Sequence, residues 1–160
     1  MNKRINILDI PIDAVTYDDV LERIRQTVEK NEKLFITTPN PEILVLASEN
    51  RDYKKALLTA TIAIPDGTGI LWAARYLALP RITSFLGRCW QLKWSLLSFF
   101  LNRGQKESLF PGRVTGTDLF YRIIETSQRH GWKIFLLGAR PGIAEIAIQN
   151  LQSKFPGALF

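Results

Sequence analysis

Three short runs of apolar and β-branched residues, each closed by a polar loop and followed by helical periodicity, constrain this chain most. Leu34, Phe35, Ile36, Thr37 and Thr38 form the first run. Thr61, Ile62, Ala63 and Ile64 form the second, and Lys133, Ile134, Phe135, Leu136 and Leu137 the third. Compact apolar runs of this kind suit strands covered on both faces, as in parallel sheets. The first closes in Thr37-Thr38-Pro39-Asn40-Pro41, where Asn40 can cap a helix and Pro41 fits its first position. The second closes in Pro65-Asp66-Gly67-Thr68-Gly69, the third in Gly138-Ala139-Arg140-Pro141-Gly142.

Helical spacing fills the intervals. Thr16 can cap a helix running to about Lys30, with Asp18 and Asp19 in its first turn. Further helical pieces fall at 43–47, 52–60 and 70–79, from a cap at Thr117 to His130 with Gly131 as the stop, and from Ile143 to Leu151. A short first strand is expected at 6–8. The alternation predicts an α/β fold: a mainly parallel, Rossmann-like sheet with helices on both faces. Residues 155–160 read as a turn into one more strand. The sheet is therefore expected to be incomplete, and residues 1–160 to form a single truncated domain.

Cys89 is the only cysteine, so no internal disulfide can form. Met1-Asn2-Lys3-Arg4 leads into an acid-interrupted stretch rather than an apolar leader, which predicts a cytoplasmic protein. The net charge of +6 is confined to one stretch. Arg75, Arg81, Arg88, Lys93, Arg103, Lys106 and Arg113 face a single acid, Glu107, and the rest of the chain is neutral. One segment holding all the excess points to a local anionic partner.

Ligands of open α/β sheets bind beyond the carboxyl ends of the strands. Asp66, at such an end, can act as general base toward a substrate hydroxyl or can cap the helix that starts near Thr68. Thr38 and Asn40 have the same two readings, as hydrogen-bonding partners for a sugar or as cap residues. Gly138, Ala139, Arg140 and Gly142 open a helix, where backbone N–H groups can hold a diphosphate, although the full G-x-G-x-x-G spacing is missing. His130 reads as a helix C-terminal residue. One histidine and one cysteine cannot build a His/Cys metal site, so no metal and no cofactor are expected.

Residues 85–102 form a different kind of segment. Gln91, Ser95, Ser98 and Asn102 make one narrow polar stripe, with Arg88 beside it. Phe85, Leu86, Trp90, Leu92, Trp94, Leu96, Leu97, Phe99, Phe100 and Leu101 cover the remainder, broken by Lys93. The stretch from Lys93 to Asn102 is too short to span a bilayer. Two readings stay open: a helix lying on a membrane surface, or a helix buried in a core or against a second copy of the chain. A nucleic-acid partner is not expected, because the aromatics belong to an apolar face and not to a stacking platform interleaved with charge.

Four motifs in order carry a resemblance: Thr38-Pro39-Asn40-Pro41-Glu42, Ile64-Pro65-Asp66-Gly67, Arg113-Val114-Thr115-Gly116-Thr117-Asp118-Leu119 and Phe135-Leu136-Leu137-Gly138. Together they resemble the WecG/TagA/CpsF glycosyltransferases (glycosyltransferase family 26), from about Ile5 to the last residue. The resemblance implies transfer of an N-acetylmannosamine-type sugar from a UDP-sugar to a polyprenyl-diphosphate-linked acceptor. It implies work at the inner face of the plasma membrane, in the synthesis of teichoic acid, enterobacterial common antigen or exopolysaccharide. By the same resemblance Asp66 is the catalytic base of an inverting reaction. Thr38, Asn40 and Arg113 bind substrate, the 138–142 loop approaches the UDP, and no metal is needed. Against the family pattern, residues 82–112 look like a basic amphipathic insertion. The family also continues past Phe160, through a Gly-x-Pro-x-Gln-Glu motif that contributes to the donor site. The alternative function is that of a non-catalytic fragment that binds nucleotide or an oligomeric partner only.

Overall fold

A computed structural model describes residues 3–101, 110–111 and 114–160. The chain divides into two compact units, Met1–Gly116 and Thr117–Phe160.

The first unit opens with a hairpin. Strands β1 (Arg4–Ile7) and β2 (Ile10–Asp13) pair antiparallel, with Ile5 opposite Ile12 and Ile7 opposite Ile10. Helix α1 (Tyr17–Glu29) starts in a capping box: Asp19 N–H donates to Thr16 Oγ1, and Thr16 N–H donates to the Asp19 carboxylate. Next come β3 (Ile36–Thr37), α2 (Pro41–Glu49), α3 (Arg51–Leu58), β4 (Ile62–Ala63) and α4 (Thr68–Leu77). Helix α5 (Phe85–Leu101) follows. β3 and β4 pair in parallel, Ile36 with Ile62 and Thr37 with Ala63. The core gathers Ile7, Ile10 and Ile12 of the hairpin with Leu44, Leu57, Ile70 and Phe110.

A buried carboxylate ties the hairpin to the parallel pair. Asp13 accepts from Arg4 Nε at 2.7 Å and from the Ala63 N–H at 2.8 Å, while the same guanidinium donates to the Thr61 carbonyl at 2.9 Å. Each Asp13 oxygen thus has a donor, which offsets the cost of burying the charge.

In the second unit, α6 (Gly116–His130) and α7 (Ile143–Lys154) supply Ile124 and Leu151 to a small core with Ala158. Lys133 bridges Leu159 in parallel, and the Ile134 N–H donates to the Leu159 carbonyl at 2.8 Å. α6 ends at His130, and Gly131 turns the chain at φ +66°.

Mixed α/β character is observed, but the strand pairing differs from the sequence expectation. The described residues hold one antiparallel hairpin, one short parallel pair and one isolated bridge. The expected strand at 6–8 is the end of a hairpin arm, and the runs at 34–38 and 61–64 pair over two residues each. The run at 133–137 is not a buried strand. Ile134 and Leu136 pack on the core, whereas Phe135 and Leu137 are 85% and 92% exposed. Among the described residues the run is covered on one side: Lys133 bridges Leu159, and Ile134 and Leu136 pack with Ile124 of α6 and Leu151 of α7. The expected insertion at 82–112 holds α5, and its residues 102–109 and 112–113 lie outside the described residues.

Candidate active site

The parallel pair fixes the geometry of the first unit's loops. Beyond the last strand pairing, the Ile64 N–H donates to the Thr37 carbonyl at 2.8 Å and the Asp66 N–H to the Pro39 carbonyl at 3.0 Å. The ladder therefore runs on past both strand ends. It sets Asp66 beside Pro39, with Thr38 and Asn40 on either side of that proline. These are the carboxyl ends of adjacent parallel strands, where α/β folds bind ligands.

The cap and ligand readings separate here. Asn40 is a cap: its Oδ1 accepts from the Ile43 N–H at 2.8 Å at the start of α2, and Pro41 follows at the first helical position. Among the described residues its amide nitrogen makes no hydrogen bond. Thr38 is half-buried and makes no cap bond. Asp66 does not cap α4 either. The cap position belongs to Gly67, at φ +90°, and no side chain bonds the first turn. Among the described residues no hydrogen bond or ion pair holds the half-buried Asp66 carboxylate. A carboxylate kept off the adjacent helix terminus is free to take a proton from an incoming hydroxyl.

Two close approaches confine the place. A Cβ on Gly69 would stand 2.5 Å from Pro41 Cγ, so the first turns of α4 and α2 meet where only glycine fits. A Cβ on Gly116 would stand 3.3 Å from both Thr38 Cγ2 and Oγ1, which puts the last residue of the first unit against Thr38. Tyr17 holds that segment, because its hydroxyl accepts from the Thr115 N–H at 2.9 Å. The N-termini of α2 and α4 add positive partial charge beside the Asp66 loop.

Arg113 lies outside the described residues. The 138–142 loop belongs to the second unit. Gly138 and Gly142 have φ of +115° and +84°, Ala139 is at +66°, and Arg140 is exposed. Gly142 caps α7 by position alone, and the Ile143 N–H donates to the Arg140 carbonyl at 3.1 Å. His130 stacks on Trp132 with ring centroids 5.0 Å apart. Among the described residues no three His, Cys, Asp or Glu gather as a metal set.

Sequence reasoning missed two residues near this place. Tyr17 lies 98 positions from Thr115, beyond the reach of any local pattern. Thr37 keeps a buried Oγ1 without a partner among the described residues, and a β-branched residue in a strand signals only packing. A cavity of about 870 Å³ lies at the opposite, amino end of β4. Asp13, Asp18, Asp19 and Glu22 outnumber Arg4 and Arg23 in its lining, which opposes a phosphate-bearing ligand.

Comparison with known proteins agrees with the resemblance. The model of the Glycosyl transferase WecG/TagA/CpsF family matches residues 5–91 and 95–160. The matched stretches take in most of 82–112 and leave out 92–94. An N-acetylglucosaminyldiphosphoundecaprenol N-acetyl-beta-D-mannosaminyltransferase of Staphylococcus aureus (strain NCTC 8325 / PS 47) is 24% identical over 159 residues, which are 98% of this chain and 51% of that protein. The protein of the same description from strain COL is similar to the same extent. The chain spans about half the length of the curated relatives it matches. A family match over nearly all its residues establishes that the chain belongs to the WecG/TagA/CpsF family of glycosyltransferases.

Proposed function

We propose that this chain carries the base and part of the donor pocket of an inverting hexosyltransferase. It would move an N-acetylmannosamine-type sugar from a UDP-sugar to a polyprenyl-diphosphate-linked acceptor during cell-surface polysaccharide synthesis. The activity named for the relatives, on an N-acetylglucosaminyldiphosphoundecaprenol acceptor, supports this substrate class. The single observation that carries the reading is the Asp66 carboxylate, just beyond β4 and level with Thr38 and Asn40, with no hydrogen-bond or ion-pair partner among the described residues.

In this reading Asp66 accepts the proton of the acceptor hydroxyl. The hydroxyl oxygen forms its bond to the anomeric carbon from the face opposite the UDP. The bond from that carbon to the diphosphate oxygen breaks, UDP leaves with the electron pair, and the configuration inverts. Thr38 and the Asn40 amide orient the sugar, and Arg113 and the 138–142 loop meet the diphosphate. In the complete Rossmann-like sheet of this reading, the β3–β4 pair belongs to the parallel strands. The reaction would take place at the inner face of the plasma membrane, where the acceptor is held, with no resident metal.

Calorimetry with UDP and a transfer assay with UDP-N-acetylmannosamine and a lipid-diphosphate-linked N-acetylglucosamine test the reading. Asp66→Asn should lower transfer by about a hundredfold or more while UDP binding is kept. Undiminished transfer in that variant would overturn the base assignment. An intact chain that neither binds UDP nor turns over would favour the non-catalytic reading.

A further inference from the structure

Helix α5 is built the wrong way round for a core helix. Its single buried residue is Ser95, at 5% exposure. Two residues of the polar stripe face the protein: Trp72 Nε1 of α4 donates to Ser95 Oγ at 3.2 Å, and Gln91 Nε2 donates to the Pro80 carbonyl at 2.9 Å. Outward go Leu86, Trp90, Trp94, Leu97 and Leu101, at i, i+4, i+8, i+11 and i+15 on one face. Trp90 is 71% exposed, Leu101 73% and Phe85 71%. The hypothesis of a core helix is thereby removed, because the residues that would form the core are the ones left uncovered.

Charge decides between the two remaining occupants. Arg88 and Lys93 are exposed on α5, Arg81 is exposed just before it, and Arg75 sits on α4. In the sequence no acid but Glu107 stands between Asp66 and Asp118. Lys93 falls within the apolar face itself, seven residues after Leu86 and four before Leu97. In a dry interface with a second copy, that ammonium would be desolvated opposite the same cationic surface. At a bilayer surface its methylene chain runs along apolar neighbours while the ammonium reaches headgroup phosphates. Tryptophans suit that same boundary. A helix of 17 residues is about 25 Å long, and among the described residues no helix is long and apolar enough to cross a membrane.

We infer that α5 is a docking helix that lies in the plane of an anionic lipid surface, with Trp90 and Trp94 inserted and Arg88 and Lys93 at headgroup phosphates. The inference does not rest on the transfer reading, since it uses no residue of the Asp66 loop.

The test is cosedimentation of the full chain with vesicles of equal parts phosphatidylcholine and phosphatidylglycerol, and with pure phosphatidylcholine. Binding to the anionic vesicles at low salt is expected, with a blue shift of tryptophan emission and marked loss at high salt. Arg88→Glu with Lys93→Glu should weaken it by about tenfold or more. Trp90→Ser with Trp94→Ser should remove it and leave the melting temperature nearly unchanged, because both side chains are mostly exposed. Persistent binding in the tryptophan variant would overturn the assignment to α5. Absence of vesicle binding overturns the inference, and if the lipid-free chain then dimerises through Trp90 and Trp94, the occupant is a second copy. UDP binding should be unaffected in every α5 variant, so failure of docking and failure of the transfer reading are told apart.

Discussion

Helices α1 and α5 use amphipathicity in opposite directions. In α1, Val20 is fully buried, while Arg25 on the outside bridges Glu22 and Glu29, both at 2.6 Å. In α5 the inward residue is a serine and the outward ones are tryptophans and leucines. The apolar face of α1 contributes to folding, by roughly 25 cal/mol for each Å² removed from water. That of α5 stays largely in water at Leu86, Trp90, Trp94 and Leu101, so the burial energy of those residues is still available to a partner. The difference teaches that periodicity reports an apolar face but not which way the face turns. Orientation is set by what the neighbouring elements offer, and α4 offers Ser95 of α5 an indole N–H.

The sharpest way to break this comparison is to place the same charge on the apolar face of each helix. Val20→Asp should cost about 4 kcal/mol or more, since it buries a carboxylate with no donor built to meet it. Trp94→Asp should stay within about 0.5 kcal/mol of the parent, as an exposed substitution. Urea denaturation followed by circular dichroism measures both. A large loss in Trp94→Asp would mean that the outer face of α5 is covered in solution by another part of the chain.

What was legible in the sequence was local. Thr16 with Asp19, Asn40 with Pro41, and Gly131 after His130 each bring donor, acceptor or conformation within three residues, and each stands where the sequence put it. The opening hairpin was not legible, because its turn is made by Leu8 and Asp9 at φ +50° and +63°. Hairpin turns of this hand usually announce themselves with Asn-Gly or Gly, and a leucine there gives no signal. Asp13 reads as a polar strand end, and only the folded chain brings the Ala63 N–H to it across 50 positions. The Asp66 loop was half legible. Its place at a strand end followed from the apolar run before it, but its freedom from capping follows from Gly67 taking the cap position.

A subtler way to sharpen the comparison acts on the inward face of α5. Ser95→Leu gives the helix the apolar residue that a core helix would have there. If the inward contact is built for polarity, the change strands the Trp72 N–H and overfills the contact with α4, costing about 2 kcal/mol. Ser95→Thr keeps the hydroxyl and should recover most of that loss. A Ser95→Leu variant more stable than the parent would show that the serine is tolerated rather than required, and that the reversal of α5 is not set by this contact.

A smaller loss than that at Ser95 is expected in α1, where the polar side can be tested without touching the core. Thr16→Ala removes the hydroxyl that accepts from the Asp19 N–H at 3.2 Å and donates to its carboxylate at 2.8 Å, costing about 1 kcal/mol near neutral pH. Hydrogen bonds from the Thr16 backbone, and then from its hydroxyl, hold the Asp19 carboxyl below the usual carboxylate range. A group whose folded pKa is depressed adds stability above its unfolded pKa, and that stability fades as pH falls through the folded value. The gap between parent and variant should therefore be full at neutral pH and narrow in acid, leaving the share due to the Asp19 N–H bond. Denaturation midpoints of the two proteins at neutral and acidic pH measure it. A gap that stays the same in acid would show that the hydroxyl serves the helix start without helping to hold the carboxylate.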